Sequence, residues 1–274
     1  MNRFYGVLGL MLALGLITGC AINPVTGKRE LSLISEADEI DLGREAAPEV
    51  EKEFGGLYPD PGLQAYVNQV GLKVAKTSHR PDLPYEYRVL NTNIVNALAL
   101  PGGKIYITRG LLVRLDNEAE LAAILGHETG HITAKHSVHH LQRQLGINLI
   151  LTAIDYSLSK KNPQRVRAAA RVSASLITLR YSRDDEYQAD ELGVEYSSKA
   201  GYDPHGMLGV LQTLYEAQKR EPSELEEFML THPLTSKRIE EVEELLEEDY
   251  PGPDEGTAWL VNEARFQREI SGVR

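Results

Sequence analysis

The hydrophobic and polar positions of this 274-residue chain separate a short apolar leader from a longer body of helical and alternating segments. After Met1–Arg3, with its single positive charge, Phe4 to Ile17 forms an apolar run of 14 residues. A membrane-spanning helix needs about 20 such residues, so the run matches the h-region of a secretory signal instead. Residues 21–34 read as a tether with turns at Asn23-Pro24 and Thr26-Gly27. A helix is expected from Ser35, where Asp38 completes a capping box, toward Phe54. Gly55-Gly56 and Pro59–Gly62 interrupt the chain before a second helix from Leu63 to Lys76. Tyr85–Leu90 alternates as a strand does, and Ala97–Leu100 and Lys104–Thr108 read as strands flanking Pro101-Gly102-Gly103. One long helix is expected from Asn117, paired with Glu120 as its cap, to Leu141. An apolar helix over Ile147–Leu158, a basic break at Lys160–Arg165 and a helix from Val166 follow. Asp184–Ala200 is helical and stops at Gly201, and two more helices fit 204–219 and 234–248. No internal repeat or low-complexity linker divides the body. The expectation is a single α+β domain over residues 35–274, mostly helical with a small β-sheet.

Composition adds little to that picture. With 42% hydrophobic and 25% charged residues, the chain is neither disordered nor polytopic. A formal net charge of −11 argues against nucleic acid as a partner. The stretch Glu221–Asp249 holds 11 acidic residues against Lys237 and Arg238, and reads as a solvated helix face.

The end of the leader is more specific. Ile17-Thr18-Gly19-Cys20 resembles a bacterial lipobox, and Cys20 is the chain's only cysteine, so it forms no internal disulfide. Residues 1–19 are therefore expected to be a lipoprotein signal peptide, and 20–34 a tether lipidated at Cys20. Such a cysteine typically carries more than one acyl chain, enough for stable membrane anchoring. Ala21 at the next position points to the outer membrane, on the periplasmic face of a bacterial envelope.

The strongest chemical signal is His127-Glu128-Thr129-Gly130-His131, an H-E-x-x-H on an expected helix. Four residues is close to one turn, so both imidazoles leave one face and can share a metal. Glu128 lies about a third of a turn away, placed to take a proton from water that a zinc ion polarises. On a helical wheel, Leu121, Ala123, Ile124, Leu125, Ile132, Ala134 and Val138 form an apolar arc that contains all three ionisable residues. Ionisable groups on a buried face are costly unless paired or coordinated. The expected cofactor is one zinc ion per chain.

Zinc needs a third protein ligand. His136 follows His127 by nine residues, half a turn out of phase on a straight helix, and is excluded on that ground. Ala134 and Ser137 rule out the longer H-E-x-x-H-x-x-G-x-x-H pattern, and His139 and His140 read as solvated. Glu186 and Asp190, four residues apart in Tyr181–Asp190, put two carboxylates on one face of a second helix. One can ligate zinc while the other orients a ligating histidine through its second nitrogen. Asp184 and Asp185 fit an acidic first turn favoured by the helix dipole.

Several segments in order carry a resemblance: Asn96–Gly103, His127–His131, Tyr181–Asp190 with its E-x-x-A-D, and His232-Pro233 followed by Arg238-Ile239. Together they resemble the HtpX/BepA/LoiP-like zinc metallopeptidases, peptidase family M forty-eight, of gluzincin type. The resemblance spans residues 24–249. It implies Glu186 as third zinc ligand, Asp190 as the carboxylate behind a ligating histidine, and Glu128 as general base and acid. It also implies that Asn96, Ala97 and Leu98 begin an active-site edge strand, to which an extended substrate adds through backbone hydrogen bonds. His232 and Arg238 are implied near the reaction centre, as oxyanion donors or as a cover over the metal. Two branches of the family are not matched: the long spans of HtpX-like members and the tetratricopeptide repeats of BepA-like ones have no counterpart in the sequence. The resulting expectation is a lipid-anchored periplasmic endopeptidase acting on unfolded or misassembled envelope proteins. A scaffolding lipoprotein with a masked site is the competing reading, whereas zinc storage is disfavoured by the lack of thiolate ligands.

Overall fold

The computed structural model describes residues 20–31, 34–146, 150, 152, 163–252 and 258–273. The expected leader at 1–19, most of the apolar segment at 147–158 and the first half of the basic break at 160–165 lie outside them. At the start, β1 (Cys20–Ile22) pairs antiparallel with β2 (Arg29–Leu31) where a plain tether was expected. The turn falls at the expected residues, because Asn23 Oδ1 accepts the backbone N–H groups of Val25 and Thr26 at 2.9 and 3.1 Å.

The helix α1 (Glu36–Glu53) starts at the expected capping box, with Ser35 and Asp38 each accepting from the other's backbone. In α2 (Pro61–Ala75), Asp60 caps the first turn, and Leu63, Val67, Val70 and Val74 are buried. Gly71 allows that helix to approach the sheet: a Cβ there would lie 2.2 Å from the ring of Tyr87. The sheet consists of β3 (Glu86–Leu90), β4 (Ala97–Leu100) and β5 (Lys104–Thr108), in the order β3–β5–β4. β3 runs parallel to β5, and β4 runs antiparallel to it, with Ala97 opposite Ile107 and Leu100 opposite Lys104. Gly102 and Gly103 turn this last pair at φ +79° and +113°, conformations that glycine adopts freely. β4 is thus an edge, as expected for the strand that begins after Asn96.

The short α3 (Arg109–Leu112) leads to α4 (Glu118–Thr133), which carries the H-E-x-x-H. Every residue of α4 is buried, so it is the central helix of the domain. It lies against α7 (Arg183–Lys199), α8 (His205–Arg220), α2 and the sheet. α5 (His136–Leu145) and α6 (Pro163–Ile177) join α1 around a smaller apolar cluster that includes Leu98, Leu100 and Tyr106. α9 (Glu226–Thr231), α10 (Ser236–Asp249) and α11 (Glu263–Ile270) complete the main core through Phe228, Val242, Leu246, Phe266 and Ile270. The result is one α+β domain, mostly helical. Among the described residues, no helix is long and apolar enough to cross a membrane.

One expected helix is in fact two. The chain breaks at Ala134-Lys135, where Lys135 takes a left-handed conformation at φ 60°. Local propensity favours continuation, so tertiary contacts impose the break. Lys135 Nζ reaches Glu39 at 2.6 Å, and Arg80 bonds both Glu39 at 2.8 Å and the carbonyl of Ile132 at 3.3 Å. Glu39 and Arg80 are themselves buried, so the clamp acts away from bulk water.

Candidate metal centre

α4 delivers His127 and His131 side by side, with their Nε2 atoms 3.0 Å apart. α7 brings Glu186, whose carboxylate oxygens lie 3.4 Å from His131 Nε2 and 3.8 Å from His127 Nε2. The segment after α9 adds His232, whose Nδ1 is 3.0 Å from Glu186 and 3.5 Å from His127 Nε2. One ligand atom from each of these four buried residues falls within 4.8 Å of all the others.

The two helices come this close because glycines face each other. A Cβ on Gly126 would sit 3.0 Å from the carbonyl oxygen of Gly193, and one on Gly193 would sit 3.0 Å from the backbone nitrogen of His127. Gly130 is likewise packed on Ala189 and Leu192. Ser182 and Asp185 form the capping box that starts α7, which sets the phase of Glu186 and Asp190.

The partners behind the ligands fix their tautomers. His127 Nδ1 donates to Asp190 at 2.9 Å, which leaves a lone pair on Nε2. His136 donates from Nε2 to Gln188 at 2.9 Å, so its Nδ1 accepts from His131 Nδ1 at 2.9 Å. His131 Nε2 therefore also carries a lone pair, and burial holds this histidine well below its usual pKa. Two lone pairs 3.0 Å apart in a dry site repel each other unless a cation lies between them. Three imidazoles and a carboxylate are a donor set that suits a tetrahedral zinc ion. The residues present therefore fit a bound metal.

The charges around the donors agree. Burial pushes Glu186 up, but Arg238 and the histidines outweigh it and hold the carboxyl well below the usual range. Burial pushes Asp190 up as well, and Arg238 and His127 again prevail. Each nitrogen of the Arg238 guanidinium has a partner. Nε and Nη2 each donate to Asp190 at 2.7 Å, while Nη1 pairs with Glu186 at 2.6 Å and donates to the carbonyl of Pro233 at 3.2 Å. These contacts tie Arg238 to Asp190, Glu186 and the turn at Pro233.

Glu128 is the exception among these carboxylates. It is fully buried, and neither of its oxygens has a hydrogen-bond partner. Burial raises its pKa, against the pull of His232 and His127. His232 Nε2 lies 3.7 Å from its Oε1.

An H-E-x-x-H helix and a glutamate from a second helix thus meet in one buried cluster, and a family comparison says what kind of protein carries it. The model for Peptidase family M48 matches residues 61–246, more than half of the chain. The chain belongs to peptidase family M48. It is accordingly a metallopeptidase.

Characterised members resemble this metallopeptidase over most of its length. The β-barrel assembly-enhancing protease of Yersinia pestis is 26% identical over 245 residues, 87% of this chain and 50% of that protein. The mitochondrial metalloendopeptidase OMA1 of Schizosaccharomyces pombe is 29% identical over 259 residues, 90% of this chain and 73% of that one. Metalloprotease YcaL of Escherichia coli is 24% identical over 220 residues, 76% of this chain and 85% of that one. The chain spans about half the length of the β-barrel assembly-enhancing proteases it matches.

Sequence reasoning placed His127, His131, Glu128, Glu186, Asp190, His232 and Arg238 in one site, and the fold brings them together. It missed His136, which the helix break turns back onto His131. It also missed the stacking of Tyr181 on His131, with ring centroids 3.7 Å apart. His140 was expected in solvent, yet it is half-buried and bonded to Asp185 at 2.8 Å. His139 is half-buried too, 3.5 Å from Glu30.

Proposed function

We propose that this metallopeptidase is a zinc-dependent endopeptidase. It hydrolyses peptide bonds in misfolded or stalled envelope proteins, anchored through a lipid on Cys20 at the periplasmic face of a bacterial membrane, the outer membrane in particular. The four-donor cluster beside the unpartnered Glu128 carboxylate carries the catalytic part of this reading. Support for the location comes from the apolar leader, the Ile17-Thr18-Gly19-Cys20 motif, and relatives named for β-barrel assembly.

His127, His131 and Glu186 would hold the zinc ion, which when bound supplies a Lewis acid for water and for the substrate carbonyl. Asp190 and His136 keep the two histidines in the tautomer whose Nε2 is free to ligate. Glu128 takes a proton from the attacking water and passes it to the amide nitrogen as the carbon–nitrogen bond breaks. Its raised pKa suits both steps. An extended substrate would pair with β4, which is the last strand in the sheet order. Thr108 N–H bonds the carbonyl of Asn96 at 3.0 Å, so strand alternation leaves the backbone groups of Ala99 facing outward. Pairing of this kind is nearly blind to side chains, as a protease acting on unfolded chains requires.

His232 adds a fourth donor to the cluster, which supports reading this arrangement as a closed form in which His232 would cover the metal. Turnover requires the 231–233 segment to withdraw. In the test, zinc-loaded chain is incubated with casein or another unfolded protein and product fragments are followed. Glu128→Gln should keep its zinc and lose cleavage by about a hundredfold or more. Cleavage retained by that variant would end the proposed mechanism.

A further inference from the structure

Beyond the metal centre, the molecule has a groove of about 870 Å³ between the loop before β4 and the residues leading into α9. Its lining includes Ile94, Val113 and Leu230, whose exposures of 40%, 46% and 42% place them among the few exposed large hydrophobic side chains of the described residues. Three such side chains in one concavity mark a binding surface more than a chance of composition. Both walls are close in sequence to segments already described. Ile94 is three residues ahead of Ala97 on the edge strand, a path of about 10 Å at most in extended chain. Leu230 is two residues ahead of His232.

The groove is preformed. Gly110 N–H donates to the carbonyl of Thr92 at 3.1 Å, and a Cβ on Gly110 would lie 2.2 Å from the carbonyl oxygen of Asn93. Arg114 crosses to the opposite wall and pairs with Glu221 and Glu224. Glu226 and Glu227, further along that wall, have no ion pair among the described residues, so the rim keeps negative charge.

Resting on the endopeptidase reading, we propose that this groove is the substrate-selecting extension of the cleft. It holds the part of an extended polypeptide lying beyond the N-terminal end of β4, and favours apolar side chains next to lysine or arginine. Apolar residues fill the floor formed by Ile94, Val113 and Leu230, and a cation meets Glu226 and Glu227. A second copy of this chain is a poorer occupant, because a net charge of −11 repels an acidic rim.

The test separates binding from hydrolysis. A fluorescein-labelled peptide of alternating Leu and Lys, and its Ser and Asp counterpart, are titrated with zinc-loaded Glu128→Gln chain while anisotropy is read. The Leu/Lys peptide should bind about tenfold tighter. Ile94→Ser with Val113→Ser should erase that preference, and Glu226→Lys with Glu227→Lys should turn the charge preference toward Asp. These sites are on the surface, and circular dichroism of each variant checks the fold. Equal binding of the two peptides, or a preference untouched by both pairs of substitutions, overturns the proposal. A concentration-dependent dimer that Ile94→Ser with Val113→Ser dissolves would overturn it too, in favour of self-association. Casein cleavage by the unsubstituted chain is measured in parallel. No cleavage alongside an intact preference would remove the peptidase reading and leave the groove; cleavage without preference would do the reverse.

Discussion

His131 is held at both ring nitrogens, one facing the prospective metal and the other bonded to His136. His127 rests on a carboxylate, Asp190, but the acceptor behind His131 is a neutral imidazole whose own tautomer is set by Gln188. Burial keeps His136 below its ordinary pKa, which preserves that acceptor. His136→Ala should therefore weaken zinc binding by about ten- to a hundredfold, read by competition with a chromogenic chelator. His136→Asn, which retains an acceptor, should recover part of the loss. The residue was hidden in the sequence for a physical reason. The phase argument that excluded it assumes a straight helix, and Ala134-Lys135 gives no local sign of a break. Glu39 and Arg80, remote in sequence, produce it. His127, Glu128 and His131 were legible because helix geometry alone places them, and the four-residue spacing of Glu186 and Asp190 marked a second carboxylate pair, although the family pattern was needed to say which of the two ligates.

Among the elements, α4 and α7 form a rigid pair, joined at Gly126 and Gly193 with almost no room for a side chain. Three donors come from this pair. The fourth arrives on the six-residue α9 and the Pro233 turn behind it, with Arg238 holding the Pro233 carbonyl. A short helix with few buried residues opens at lower cost than a central one. If this segment closes the site, His232→Ala should raise the steady-state rate of casein cleavage several-fold while zinc remains bound. A fall in rate with unchanged zinc content would assign His232 a role in the reaction instead. The small sheet and its edge strand were readable from alternation and from Pro101-Gly102-Gly103. The pairing of β1 with β2 was not, since three-residue strands leave too little periodicity to detect.

For the molecule as a whole, α4 is anchored at its start as firmly as at its metal end. Tyr66, Asn262 and Arg265 all donate to the buried Glu118, which ties α11 to the central helix. Two residues on, Glu120 has its pKa raised from 4.5 to about 7 by burial, despite the N–H bond from Asp116. The folded chain then holds a proton that the unfolded chain releases, so stability should fall as pH rises from about 4.5 to 7. In Glu120→Gln that fall should shrink, which urea midpoints at pH 5 and pH 7.5 would show. No sequence pattern announces this residue as anything but a helix cap. The acidic surface was visible in the composition, but the groove was not, because Ile94, Val113 and Leu230 meet only in the folded chain.

The complete burial of the four donors also has a meaning in time. If the 231–233 segment closes over a bound ion, a chelator cannot touch that ion until the segment lifts. The extraction rate should therefore rise with chelator concentration only to a plateau, and that plateau is the lifting rate itself. Stopped-flow measurement with a chromogenic chelator would yield it directly, and with such a gate the peptidase would turn over no faster than the segment lifts.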